Sequence, residues 1–123
     1  MKESVIRRKS KDLALKIISQ YKYLVEDKKE YILSKQLLRS GTSIGANVVE
    51  ASNAQSDNDF IAKLYIALKE AGETQYWLEL LYESEYLDID KFNSVYEDCT
   101  EVIKILTAII VSKKSNMNNS VKN

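Results

Sequence analysis

The side chains in this sequence that could do chemistry are carboxylates, cations and hydroxyls, and they recur at helical spacing. Arg39, Ser43, Asn47 and Glu50 sit at offsets of zero, four, eight and eleven, which lines them along one stripe of a helix. Lys69, Glu70, Glu73 and Tyr76 form a comparable stripe in the next helical stretch. Where two such stripes face each other, Glu50, Glu70 and Glu73 have two chemistries open to them. One is a general acid–base pair or a hard-cation site. The other is structural: Arg39 pairs with an acid, while Ser43 and Asn47 satisfy polar groups and fix register. The structural network is the expectation, because the usual partners of catalysis are missing. There is no histidine, which removes the commonest general base and the commonest transition-metal ligand together. Ser-His and Cys-His nucleophilic pairs go with it. No cysteine cluster for zinc, no Walker-type phosphate loop and no GxGxxG turn is present. The sequence therefore points to binding rather than catalysis, with no metal and no cofactor.

Electrostatics offer a second chemistry. The 18 Lys and Arg balance 18 Asp and Glu, but not evenly along the chain. Residues 1–25 carry seven bases against two acids, and the stretch after Val111 carries three Lys and no acid. From Glu70 to Glu101 there are ten acids and a single base, Lys91. Arg7, Arg8, Lys9, Lys11 and Lys16 are thus the candidate contacts for the phosphates of RNA or DNA. The acidic span is the candidate surface for a basic protein partner. The plainer alternative for both is that solvated helix faces need charges of some sign. Eight tyrosines and Trp77 have the π-faces that stack on bases. Most fall on or beside apolar stripes, so core or subunit contact is the better reading, with Tyr21, Tyr23, Tyr76 and Tyr82 as flanks apolar at the body and polar at the tip.

The elements that must position these groups are helices. A chain of 123 residues makes one domain. It has no proline and only Gly41, Gly45 and Gly72, too few turn formers for a sheet protein. Leu13, Ile17, Ile18, Tyr21, Leu24 and Val25 mark the face of a first helix, with Ser4 or Ser10 as its cap. A second runs from about Glu30 to Asn53 on Leu33, Leu37, Ile44, Val48 and Ala51. Its glycines each cost about 1 kcal/mol against alanine. Because the stripe keeps its phase across them, close packing of another backbone is expected there, with a break at Thr42 as the alternative. Ser56 to Asp59 has the form of a capping box. Behind it, Phe60, Leu64, Ala67, Ala71, Thr74, Leu78 and Leu81 make a heptad seam to about Glu85. The fourth helix opens at Asp88, with Leu87 and Phe92 as a hydrophobic staple and Phe92, Val95, Cys99, Val102, Leu106 and Ile109 as its stripe. The short joints make neighbouring helices antiparallel. The domain is expected over 1–115, with 116–123 a polar, disordered tail.

Cys99 lies at helical spacing from Val95, Val102 and Ile103, so it reads as a small core residue, and a lone cysteine fits a reducing compartment. Met1 to Ser10 has charges but no apolar core of a signal peptide. The longest apolar run, Leu106 to Val111 with a Thr at 107, is too short to cross a bilayer. The expectation is a cytoplasmic protein with no membrane partner.

From Leu33 to Leu81 the chain resembles the four helix bundle proteins, also called 23S rRNA intervening-sequence proteins. The likeness is carried by the run Arg39-Ser40-Gly41-Thr42-Ser43-Ile44-Gly45-Ala46-Asn47, by Lys69-Glu70-Ala71-Gly72-Glu73-Thr74 and by Trp77-Leu78-Glu79-Leu80-Leu81. The other helices fit more loosely, over essentially the whole chain. The resemblance implies an all-α, antiparallel up-down four-helix bundle assembling into a homo-oligomeric ring, a pentamer in known members. Some members are encoded in insertions within bacterial 23S rRNA genes. A relative that accompanies diversity-generating retroelements binds reverse transcriptase and nucleic acid through a strongly basic surface, and this chain departs from it in having no net charge. The implied role is a non-enzymatic scaffold that binds RNA or a ribonucleoprotein through its basic ends. The alternative is a protein-interaction module that uses the acidic half.

Overall fold

Ser4 opens the first helix, its Oγ accepting the Arg7 N–H at 3.2 Å. Ser10 is instead buried, with its hydroxyl donating to the Arg7 carbonyl at 3.2 Å. The computed structural model describes residues 4–122, with side chains as far as Asn119. Lys2 and the Lys122 side chain, both counted among the basic termini, lie outside that range. Among the described residues there are four helices and no strand: α1 (Val5–Glu26), α2 (Leu33–Ser52), α3 (Asp57–Glu83) and α4 (Ile89–Lys122).

α2 starts three residues later than the apolar pattern suggests, for a local reason. The Glu30 carboxylate accepts the backbone N–H groups of Ile32, Leu33 and Ser34 at 3.1, 3.0 and 2.7 Å. It thereby satisfies donors that the first turn of a helix leaves unpaired, the task a capping residue normally performs. The Ser34 hydroxyl closes the loop on the Glu30 carbonyl at 2.8 Å. Glu30 is only 8% exposed. Burial pushes its pKa up, but the bonds from Ser34, Leu33 and Ile32 outweigh that and hold it below the ordinary glutamate value. The two helix exits upstream of tight joints also lack glycine. Lys29 and Glu85 take left-handed conformations, φ 57° and 70°, where glycine is favoured. They let Glu30 N–H return to the Leu24 carbonyl at 2.9 Å and Tyr86 N–H to that of Leu81 at 2.8 Å.

Each helix packs against the next, and α4 returns to α1, so the four enclose one core. Leu13, Ile17, Leu24, Leu37, Ile44, Leu64, Leu78, Leu81, Val95, Val102 and Leu106 are fully buried in it. Burying one such side chain stabilises the fold by about 1.5–3 kcal/mol. The register is fixed by cross-helix pairs. Gly41 meets Ile17 and Gly45 meets Ser10 between α1 and α2. Arg39 meets Glu70 and Glu50 meets Lys63 between α2 and α3. Tyr96 meets Glu79 and Lys114 meets Tyr65 between α3 and α4. Lys9 meets Glu101 and Lys16 meets Asp98 between α1 and α4.

α2 runs unbroken through Thr42. A Cβ at Gly41 would stand 2.8 Å from two carbons of Ile17, so this glycine is what lets the two helices close. The stripes shift by one residue at two places. Ile61 rather than Phe60 is buried at the start of α3, Phe60 lying at the rim with the Lys113 ammonium 5.5 Å from its ring centre. Ile110 replaces Ile109 late in α4. A helix of 3.6 residues per turn drifts about 20° per heptad against a strict seam, so the last buried position slides forward. α4 also continues through the polar stretch 116–122 set apart above as a tail. That stretch has no glycine or proline to stop it.

Candidate functional site

The five cations singled out on α1 do not share a face. At 100° per residue, Arg7 and Lys11 lie on one flank of the helix, Lys9 and Lys16 on the other, and Arg8 between them. The flank toward α4 is neutralised. Lys9 Nζ is 2.8 Å from the Glu101 carboxylate, and that bond and charge raise its pKa above the usual lysine value. Lys16 Nζ is 2.7 Å from Asp98 and 3.2 Å from the Ser94 hydroxyl. Arg7, Arg8 and Lys11 are exposed and make no ion pair among the described residues.

Arg7 and Lys11 border a groove of about 310 Å³ between α1 and α2, floored by Ala14, Thr42, Gly45 and Ala46 and lined by no carboxylate. A Cβ on Gly45 would meet nothing nearer than 3.5 Å, so the groove is kept open by residue choice rather than by a packing clash. The described cations of the second basic stretch are engaged by α3. Lys113 pairs with Asp57 at 2.9 Å at the start of α3, and Lys114 donates to the Tyr65 hydroxyl at 2.8 Å. A separate groove of about 500 Å³ is bordered by Glu83, Glu85 and Asp88 together with Lys28, Tyr23 and Tyr82.

The carboxylates of the polar stripe are drawn onto Arg39. Its guanidinium reaches Glu70 at 3.1 Å and forms a second ion pair with Glu73, while Glu73 also accepts the Trp77 indole N–H at 3.1 Å. Glu50 stands apart, 3.5 Å from Lys63. Ser43 and Asn47 turn back on their own helix, donating to the Arg39 and Ser43 carbonyls at 2.7 and 2.8 Å. Among the described residues no three acids or thiols gather where they would hold a metal ion. The cross-helix polar contact at the centre of the α2–α3 interface is one the stripe did not include. Thr74 Oγ1 is 2.9 Å from Ser40 Oγ and 2.8 Å from the Glu70 carbonyl, both hydroxyls fully buried. A small residue facing a β-branched hydroxyl at core spacing was its only sequence signal. Cys99 is buried, its Sγ 3.3 Å from the Ala71 carbonyl, and burial with the Asp98 charge nearby pushes its pKa up to about 12. Such a thiol is not a nucleophile near neutrality.

Among the described residues, no helix is long and apolar enough to cross a membrane. Tyr65 and Tyr76 lie exposed along one stripe of α3 that Lys69 interrupts, at 43 and 54%, with Ile66 to one side at 42%. Gly72 lies among them with nothing within 4 Å of the Cβ it lacks.

Comparison with known proteins adds two findings. The family model described as 23S rRNA-intervening sequence protein matches residues 2–108. A crystal structure of a protein with unknown function, from the S23 ribosomal protein family of Bacteroides thetaiotaomicron VPI-5482, is 55% identical, with a TM-score of 0.85 over 86% of this chain and 98% of that one. No curated protein sequence matches.

Proposed function

The chain belongs to the 23S rRNA-intervening sequence protein family, and on that premise we propose that it is a homo-oligomeric, non-catalytic binding protein that grips RNA phosphates with one end of an up-down, antiparallel bundle. The single observation carrying this reading is that Arg7, Arg8 and Lys11 stand exposed on α1 with no ion pair among the described residues, Arg7 and Lys11 bordering a groove with no carboxylate in its lining. A chain with no net charge binds polyanions only if its cations are segregated, because the affinity comes from phosphate neutralisation and counterion release. The neighbour's place in a ribosomal protein family agrees with an RNA partner. The antiparallel reading rests on the register: contact positions rise along one helix as they fall along the next, from Lys9–Glu101 to Lys16–Asp98.

Oligomerisation, as a ring of five in the arrangement the family resemblance implies, is supported by the exposed Tyr65, Ile66 and Tyr76 around Gly72. A helix-interior glycine with no intrachain neighbour costs about 1 kcal/mol and earns nothing unless another backbone approaches it. Sedimentation at micromolar concentration should report an assembly; a monomer would contradict it. Replacing Arg7, Arg8 and Lys11 together with Ala should weaken binding to structured RNAs of different sequence by similar factors and flatten the salt dependence. Unchanged affinity and slope would remove the basic-end assignment.

The groove bordered by Glu83, Glu85 and Asp88 favours a second reading, a basic protein partner at the acidic end. A nuclease-resistant complex lost when those three acids are neutralised would support it.

A further inference from the structure

We propose that the open groove between α1 and α2 is the track for one RNA strand, its phosphates held by Arg7 and Lys11 on the rim and its backbone admitted by Ala14, Gly45 and Ala46 on the floor. This rests on the RNA-binding reading above and assigns it to one flank of α1. The division comes from the ion pairs. The two cations facing α4 are committed to Glu101 and Asp98, and a phosphate would have to displace a carboxylate already 2.8 or 2.7 Å away. The two facing α2 have no such competitor among the described residues and border a cavity of about 310 Å³ with no acid in its lining.

Side chains four apart on a helix stand about 5–6 Å apart at Cβ, so Arg7 and Lys11 act on adjacent phosphates of a strand lying along the groove. Arg7 brings a planar fork suited to two phosphate oxygens, Lys11 a mobile point charge. The floor is small where it need not be. Gly45 has room for a Cβ, 3.5 Å from Ser10, and Ala46 is exposed, so neither residue is dictated by the core. Larger side chains there would fill the groove that the two cations border. The apolar groove of Phe60, Ile105 and Ile109 on the α3–α4 side has no such pair of free cations. The groove bordered by Glu83, Glu85 and Asp88 sets three carboxylates against the single cation Lys28, which disfavours phosphate.

Two matched comparisons test it on the full chain by anisotropy with a labelled single-stranded RNA at fixed low salt. R7A/K11A and K9A/K16A each remove two positive charges from the same helix. The first should weaken binding about tenfold or more and reduce the slope of log affinity against log salt by about 1.4, two phosphate contacts at about 0.7 each. The second should change affinity less than about threefold. Likewise Ala46→Glu, which puts a carboxylate on the floor, should abolish most binding. Ala62→Glu, the same charge on an exposed site near the start of α3, should not. Circular dichroism and thermal melts establish that all four variants fold. Wild-type binding with equal losses in both members of each pair would overturn the groove and leave the basic-end reading standing. No binding of RNA by the wild-type chain would overturn both. Binding of a polyglutamate peptide sensitive to Ala46→Glu, without RNA binding, would overturn RNA as the occupant.

Discussion

Three glycines in helix interiors show how one residue type serves different ends. Gly41 is a packing residue: any Cβ would stand 2.8 Å from Ile17, inside a fully buried contact. Gly41→Ala should therefore destabilise the fold by about 1–3 kcal/mol, the usual cost of overfilling a close-packed core. Gly72 has no neighbour within 4 Å, so Gly72→Ala should stabilise the isolated subunit by up to about 1 kcal/mol through helix propensity alone. Urea denaturation of both variants checks the signs; equal effects at the two positions would contradict the account. If the assembly packs on Gly72, the same substitution should weaken association while it stabilises the subunit. Arg39 shows what a stripe of charges becomes when it folds. It holds Glu70 and Glu73 in one network that remains half open to water, with Arg39 48% and Glu70 14% exposed in their side chains. Exposed ion pairs of this kind contribute about 0–1 kcal/mol, so the network's value is in fixing the register of α2 on α3 rather than in stability.

At the scale of elements, most of the fold was legible because helix periodicity is a long-range average. The seam of α3 from Leu64 to Leu81 and the stripe of α4 from Val95 to Leu106 are buried as their spacing requires. What was not legible depends on single side chains acting out of class. Glu30 is an acid inside what reads as a helix, yet it folds back as the cap and delays α2 to Leu33. Lys29 and Glu85 occupy left-handed positions that composition would give to glycine. The candidate site was half legible. The uneven charge along the chain singled out the five cations of α1, but which of them pair with α4 depends on the helix's rotation in the bundle, and the groove exists only once α1 lies against α2. Glu30→Ala should cost about 0.5–2 kcal/mol, as loss of a cap does. The effect should depend on pH. The folded pKa of Glu30 is held below its unfolded value, so its contribution is complete above the ordinary glutamate pKa of about 4.3 and is lost as pH falls through the lower folded value. Denaturant unfolding at pH 7 and below pH 4 should find the wild-type advantage over Glu30→Ala large at the first and diminished at the second. An advantage constant with pH would mean the carboxylate charge is not what caps α2.

For the whole molecule, the decisive property is how the charges are distributed, since their sum is zero. In the antiparallel arrangement proposed above, the chain carries its basic beginning and its basic last helix to one end, while Glu83, Glu85 and Asp88 border, with Lys28, the groove at the other. The unpaired Arg7, Arg8 and Lys11 give the first end a local field that attracts phosphate, and assembly of subunits with like ends together would multiply it. Screening acts on such a field within about 8 Å at physiological ionic strength, so binding at this end must weaken as salt rises. The most direct measurement is fluorescence anisotropy of a labelled structured RNA against nuclease-treated protein over a series of salt concentrations. The account predicts micromolar or tighter binding at low salt, falling linearly in log affinity against log salt with a slope set by the phosphates contacted. Absence of binding at low salt, or binding indifferent to salt, would contradict it.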